Sequence, residues 1–192
     1  MRYPAERKEE TRQKILQTAA RRFRASGGAV GIADLMRELD LTHGGFYRHF
    51  DSKDQLFGES LGKALDEIRS VIHDALRKAR PGAELRTVIE TYLSTRHCAD
   101  ISGGCPLAAL AGEVGRSSPS VRKAMDRWMR EHLSHVSPLL PGKTDEERRA
   151  NALVLFSGMS GTLAVARAVA DKALREKLLA DARRFYIEAF DA

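Results

Sequence analysis

Apolar residues recur at three- and four-residue spacing along most of the chain, bounded by polar caps and Gly/Pro breaks, and no stretch alternates as a strand would. Ile15, Leu16, Ala19, Ala20 and Phe23 predict a first helix over about 7–25, preceded by a frayed 1–6 and ended by Gly27 and Gly28. Ile32, Leu35, Met36 and Leu39 give a short second helix. A break follows at Asp40 and Leu41, after which Thr42 caps a third segment, 43–50. Helices this short are marginal alone and must be held against neighbours.

Either Asp51 or Ser52 then caps a long helix to about 78, with Ser52 and Gln55 spaced as a capping box and Leu56, Leu61, Leu65, Ile68 and Ile72 as its stripe. Pro81 and Gly82 end it. Leu85, Val88, Ile89, Tyr92 and Leu93 mark a helix ending near Cys98, 100–104 is a turn, and a small-residue helix covers 106–114. Ser118 caps the next, which carries Val121, Met125, Trp128, Met129 and Leu133. After the loop SPLLPGKTD, Thr144 or Asp145 starts a helix through Leu153, Phe156, Met159 and Leu163. The last runs over about 171–190 with Leu174, Leu178, Phe185 and Ile187. The fold class is all-α, about nine helices in all: an N-terminal three-helix domain, 1–52, then a second helical domain, 53–192.

Within 28–56, two short helices flank a tight turn, and the second carries small, basic and aromatic polar residues: a helix-turn-helix reader. Charge distribution strengthens this reading. Of the net +6, residues 1–26 carry +5, from eight Arg or Lys against three Glu, just ahead of the reader where phosphate would meet it. The competing reading of 42–50 as a plain connector leaves that coincidence unexplained. For the basic first helix alone, a solvated charged face competes with flanking phosphate contacts by Arg12, Arg22 or Arg24. Nothing has nucleophile-elbow, metal or phosphate-loop spacing, so neither an enzyme nor a cofactor is expected. A pure protein-binding module is the third class.

Cys98 and Cys105 are the only cysteines, too few for a disulfide scaffold. The N-terminus lacks an apolar signal core, and the run 150–170 is broken by Ser157, Ser160 and Arg167, so a cytoplasmic protein without a membrane span is expected.

The run THGGFYRHFDSKDQLF, beginning at Thr42, resembles the signature of the TetR family of bacterial transcriptional regulators, through Gly45, Phe46, Tyr47, His49, Phe50 and Lys53. The resemblance covers about 11–60 and implies that Thr42, His43 and Gly44 enter the major groove while Tyr47, His49 and Lys53 reach the phosphate backbone. Arg48 either pairs with guanine, as the one bidentate donor in the segment, or faces phosphate or solvent. Phe46 and Phe50 read as core. Lys53, in the first turn of its helix, opposes the macrodipole, and a nearby phosphate would supply the missing reason. Two positions depart from the family pattern: Gly31 stands where Ser or Thr often caps, and Asp40 where Gly often turns. Glycine can cap, and Asp tolerates a left-handed turn.

The resemblance further implies an effector pocket within 85–163. Tyr92, His97, Cys98, Cys105, Met125, Trp128, Met129 and Met159 are more adaptable and aromatic than a tight aliphatic core needs, although ordinary packing also accounts for each. Cys105, near a helix start, reads either as a reactive sensor of electrophiles or as a small buried hydrophobe. The last two helices are the expected homodimer surface. There Ala150, Leu153, Val154, Ser157, Gly158, Gly161 and Thr162 allow close approach, while Leu174, Leu178, Ala182 and Phe185 add bulk. The function this implies is a repressor that binds a palindromic double-stranded DNA operator as a dimer. It would release the operator on binding a small apolar effector or on cysteine modification.

Overall fold

A computed structural model describes residues 5–191, and among these every regular element is helical. The first helix, α1, is Ala5–Ser26, so of the expected frayed 1–6 the first four positions lie outside the described residues while 5 and 6 are helical. A short 3-10 turn, Gly27–Ala29, leads to α2, Ile32–Glu38. Gly31 is the N-cap of α2 without a side-chain bond, and Asp40 takes φ 54, so both departures from the family pattern are absorbed as backbone conformations.

The third helix, α3, is His43–Phe46, half the length expected. Thr42 caps it by accepting from the Gly45 N–H at 3.2 Å. Residues 47–49 form turns instead, with Arg48 N–H donating to Gly45 O and His49 N–H to Phe46 O. Two adjacent glycines lower helix propensity, and i→i+3 bonds then close the segment early. The long helix α4, Lys53–Lys78, starts at Ser52, which accepts from the Gln55 N–H at 3.1 Å. The returning bond runs one residue further than in a capping box, from Asp51 N–H to Gln55 Oε1 at 2.6 Å.

The helix expected over 85–98 is two helices: α5, Glu84–Tyr92, and α6, Thr95–Ala99. Ser94 separates them, because its hydroxyl accepts from the His97 N–H at 3.1 Å and so caps a new helix. Then come α7 (Pro106–Arg116), α8 (Pro119–Val136) and a 3-10 turn, Ser137–Leu139. Next, α9 (Asp145–Ala168) opens on a complete capping box between Thr144 and Glu147, and α10 (Lys172–Phe190) closes the chain. The described residues thus hold ten α-helices, the all-α class with one more short helix than the sequence pattern suggests.

The organising element is α4. Its N-terminal half packs on α1, where Phe23 meets Phe57 edge-on at 5.0 Å, while α8 follows it from Gly58, beside Val121, to Arg69, paired with Glu131, and α5 packs on it as well. Leu56, Leu61, Leu65, Ile68 and Ile72, the expected stripe, are all buried. At about 1.5 Å per residue, the helix spans about 40 Å from the reader to the far end of the bundle. α9 and α10 lie together, with α10 also on α5, while α7 bridges α1 and α9. No helix among the described residues is long and apolar enough to cross a membrane.

Candidate nucleic-acid interface and effector region

The reader is held from beneath by two phenylalanines. Phe46 and Phe50 are 0% and 1% exposed, stacked with centroids 5.6 Å apart, and they sit among Leu35, Met36 and Ile15 in the core. With these rings turned inward, Thr42, His43, Gly44, Tyr47 and Arg48 are left facing solvent. Tyr47 is 58% exposed and braced edge-on by His43 and Phe46, and a Cβ added at Gly44 would meet nothing within 4 Å. The surface is therefore small at Gly44, hydroxylic at Thr42 and Tyr47, and cationic at Arg48, matching what base edges and phosphates accept.

His49 is half-buried, and its Nδ1 has no hydrogen-bond partner. Burial pushes its pKa below the ordinary histidine value, and Lys8, Arg12 and Arg48 push the same way against a weaker opposing pull from Glu9. It lines a groove of about 530 Å³ between α1 and α3, together with Arg7, Lys8, Thr11, Thr42 and Arg48. The contribution of Arg7, Lys8 and Thr11 was not legible in the chain, since α1 carries basic residues on several faces. Arg12, Arg22 and Arg24, the candidates for flanking phosphates, are each drawn into ion pairs. Arg12 pairs with Glu59 at 2.5 Å and lies over the Phe50 ring, Arg22 pairs with Glu38 at 3.5 Å, and Arg24, 3% exposed, pairs with Glu67 at 2.9 Å. Lys53 donates from Nζ to Gly28 O at 2.6 Å, so its place in the first turn of α4 has an internal reason as well. A lysine carries three donors, and this bond uses one.

The eight residues expected around an effector separate into several settings. Tyr92, 2% exposed, bonds through its hydroxyl to Ser160 Oγ at 2.9 Å, and burial holds its pKa well above the ordinary tyrosine value. Beneath it, His97 joins Nδ1 to Tyr92 O at 2.6 Å and accepts at Nε2 from the Cys105 N–H at 2.9 Å. That pairing places the ring proton on Nδ1 and makes the imidazole neutral, in keeping with a pKa lowered chiefly by burial. Cys105 is the N-cap of α7 and 0% exposed, and Cys98 is 5% exposed. The Cys105 thiol is therefore closed to solvent in this packing. Cys98 instead lines a separate cleft with Lys172, Arg175 and Glu176.

Met159 and Tyr92 line one small cavity with Phe156 and His132. Trp128, 6% exposed, stacks on His132, while Met125 and Met129 are half-buried against the core. The sequence reading missed His132, one turn after Trp128 and so on the same helix face, a spacing that was available as a signal. It also missed Arg167, which leaves α9 to donate to the carbonyls of His97, Cys98 and Asp100 at 3.1–3.2 Å and ties the cysteine-bearing turn to α9. No local pattern announces such a reach. On α9, Leu153, Val154, Ser157 and Gly161 are exposed, as is Val165, whereas Gly158 packs on Tyr186 of its own chain: an added Cβ would lie 2.3 Å from that hydroxyl. On α10, Leu174 and Phe185 are exposed, while Leu178 and Ala182 pack on the core. Among the described residues no group of three or more His, Cys, Asp or Glu side chains is arranged to hold a metal ion.

Comparison with known proteins bears on both halves. Residues 15–59 match the sequence model described as bacterial regulatory proteins, tetR family, and residues 81–181 match the tetracyclin repressor-like C-terminal domain. An uncharacterized HTH-type transcriptional regulator of Mycobacterium tuberculosis is 26% identical over 190 residues, covering 88% of this chain and 95% of that protein. Among solved structures, a TetR transcriptional regulator from Chloroflexus aurantiacus superposes with TM-score 0.77 at 22% identity, over 95% of this chain and 96% of its own. The reduced form of Escherichia coli NemR gives TM-score 0.74 at 21% identity, over 91% and 96%.

Proposed function

Given that the chain belongs to the TetR family of transcriptional regulators, we propose that it binds a palindromic operator as a homodimer and represses from there. Residues 1–52 form the reading head and 53–192 the effector and dimerisation domain. The observation that carries this reading is the solvent-facing run Thr42 to Arg48, seated on buried Phe46 and Phe50 and flanked by the groove of Lys8, Arg48 and His49. In this reading Thr42, His43 and Gly44 meet base edges, Tyr47, His49 and Lys53 meet phosphate, and Arg48 meets either a guanine or the backbone.

One head makes few base contacts, and two heads related by a two-fold axis read successive major grooves. The exposed Leu153, Val154 and Val165 of α9, with Leu174 and Phe185 of α10, support a dimer seam that a second copy covers. Release follows as a population shift. A small apolar effector held among the aromatic residues around Tyr92, Trp128 and Met159, or modification at Cys105 or Cys98, favours a head spacing that the operator does not match. α4 is the lever, since it touches both the head and the effector helices. As a reader of chromosomal DNA, the protein works in the cytoplasm.

Selection of bound sites from random duplex DNA, followed by footprinting, tests the reading. Protection of two half-sites one helical turn apart supports it; failure to enrich any sequence refutes it. Affinity for the selected site should also fall steeply with salt, and a flat dependence refutes the phosphate-contacting footprint.

A further inference from the structure

In the effector half an imidazole is buried without a partner. His132 on α8 is 7% exposed, yet its Nδ1 makes no hydrogen bond. The ring lies flat on Trp128, centroids 4.7 Å and planes 10° apart, and 4.5 Å from Phe156. Two phenylalanines would stack as well without leaving a polar atom unmet, so packing alone does not call for histidine here.

The cavity beside it, bounded by Ile68, Ile72, Tyr92, Phe156 and Met159, has a volume of about 20 Å³, enough for one water. Ile68, Ile72 and Tyr92 also bound an outer cleft of about 220 Å³, which Val71 lines as well and whose polar groups come from Thr91, Ser94, Arg96, His97 and Asp100. These three side chains thus stand between the outer cleft, which carries polar groups, and an apolar inner chamber. Two of them, Ile68 and Ile72, belong to α4, the proposed lever. The chamber offers no free charge. Arg69 is paired with Asp66 and Glu131, and His132 is neutral at physiological pH, its pKa lowered to about 4 by burial and then by Arg69, His135 and His73.

We propose that α4 shifts outward to join the chamber with the outer cleft, and that the joined space takes an uncharged phenol, its ring passing Ile68, Ile72 and Tyr92 toward Phe156 and Met159 and its hydroxyl bonding His132 Nδ1. A hydroxyl both donates and accepts, so it satisfies either tautomer of the imidazole. Beside His132 a carboxylate of the same shape would be stripped of water, because Arg69, which lines the chamber, is already paired with Asp66 and Glu131. The inference rests on the reading of the chain as a ligand-responsive regulator.

The test uses 4-propylphenol and 4-propylbenzoate with the full chain, by titration calorimetry. Trp128 is the single tryptophan, so its emission reports on the same site independently. Saturable binding of the phenol with a change in Trp128 emission is expected, the benzoate binding at least tenfold more weakly. His132→Phe should weaken the phenol about tenfold while leaving the circular dichroism spectrum intact, and His132→Gln, which keeps a donor and an acceptor, should recover part of that loss. Absence of saturable binding overturns the proposal, as does equal phenol affinity in wild type and both variants. Anisotropy of a selected DNA duplex separates the two levels. DNA binding without phenol binding refutes the chamber alone, whereas phenol binding that leaves the duplex in place supports the chamber and refutes release by this ligand.

Discussion

Acid should loosen this protein through His132 in particular. An ordinary imidazole titrates near 6.5, and burial, with Arg69, His135 and His73 around it, lowers that of His132 to about 4 in the folded state. The unfolded chain therefore binds the proton more readily. Between these two values the unfolded state is favoured as pH falls, and the stability present above pH 6.5 is progressively lost down to about pH 4. A displacement of this size corresponds to about 3 kcal/mol in full, and to about 2 kcal/mol between pH 7.5 and pH 5. For a domain whose total is about 5–15 kcal/mol, that is a measurable fraction. Urea denaturation at pH 7.5, 6 and 5, at one fixed protein concentration because dimerisation couples to folding, gives the slope for wild type and for His132→Phe. The difference between the two slopes isolates this residue from every carboxylate that titrates alongside it. Parallel slopes would refute the reasoning and mean that His132 finds water or a partner in the folded state.

DNA affinity should rise as pH falls from 7.5 to 5.5. The pKa of His49 is lowered by burial and then by Lys8, Arg12 and Arg48, and an approaching phosphate reverses that electrostatic push, so binding takes up a proton. With His43→Gln as the background, adding His49→Gln should flatten the pH dependence seen by anisotropy; a slope that the second substitution leaves unchanged removes the phosphate role from His49. Gly27→Ala places a side chain at φ +64 with its Cβ 2.3 Å from Glu113 Oε1, and should cost about 1–2 kcal/mol in thermal or urea unfolding. Adding Glu113→Ala should return the part due to the clash, and unchanged stability in the single variant would contradict the packing of α7 on that turn. Phe185→Glu, at a position 63% exposed on α10, should yield a monomer by light scattering with native helicity. A dimer that persists would move the seam elsewhere.

The reader and the bundle differed in how much of them could be read from the chain. Thr42, Ser52 and Thr144 announce their helices because a cap needs only its own side chain and a backbone N–H three residues on. Phe46 and Phe50 announce their burial because a short helix must rest on something apolar. Ser94 was legible in principle, a serine cap like the others, but lay hidden inside an unbroken apolar rhythm that the chain does not follow in space.

Helix content, element order, the reader and its family were thus determined by the sequence itself, since caps, breakers and apolar spacing act over one or two turns. Only the tertiary structure decided which cations remain outward and which are consumed. Arg12, Arg22 and Arg24 share α1 with Lys8, but their partners, Glu59, Glu38 and Glu67, come from other helices. It alone brought Arg167 across to the carbonyls of His97, Cys98 and Asp100, and it alone left His132 unpartnered beside Trp128. Burial and charge pairing depend on distances between residues remote in sequence, and those distances exist only once the helices have packed.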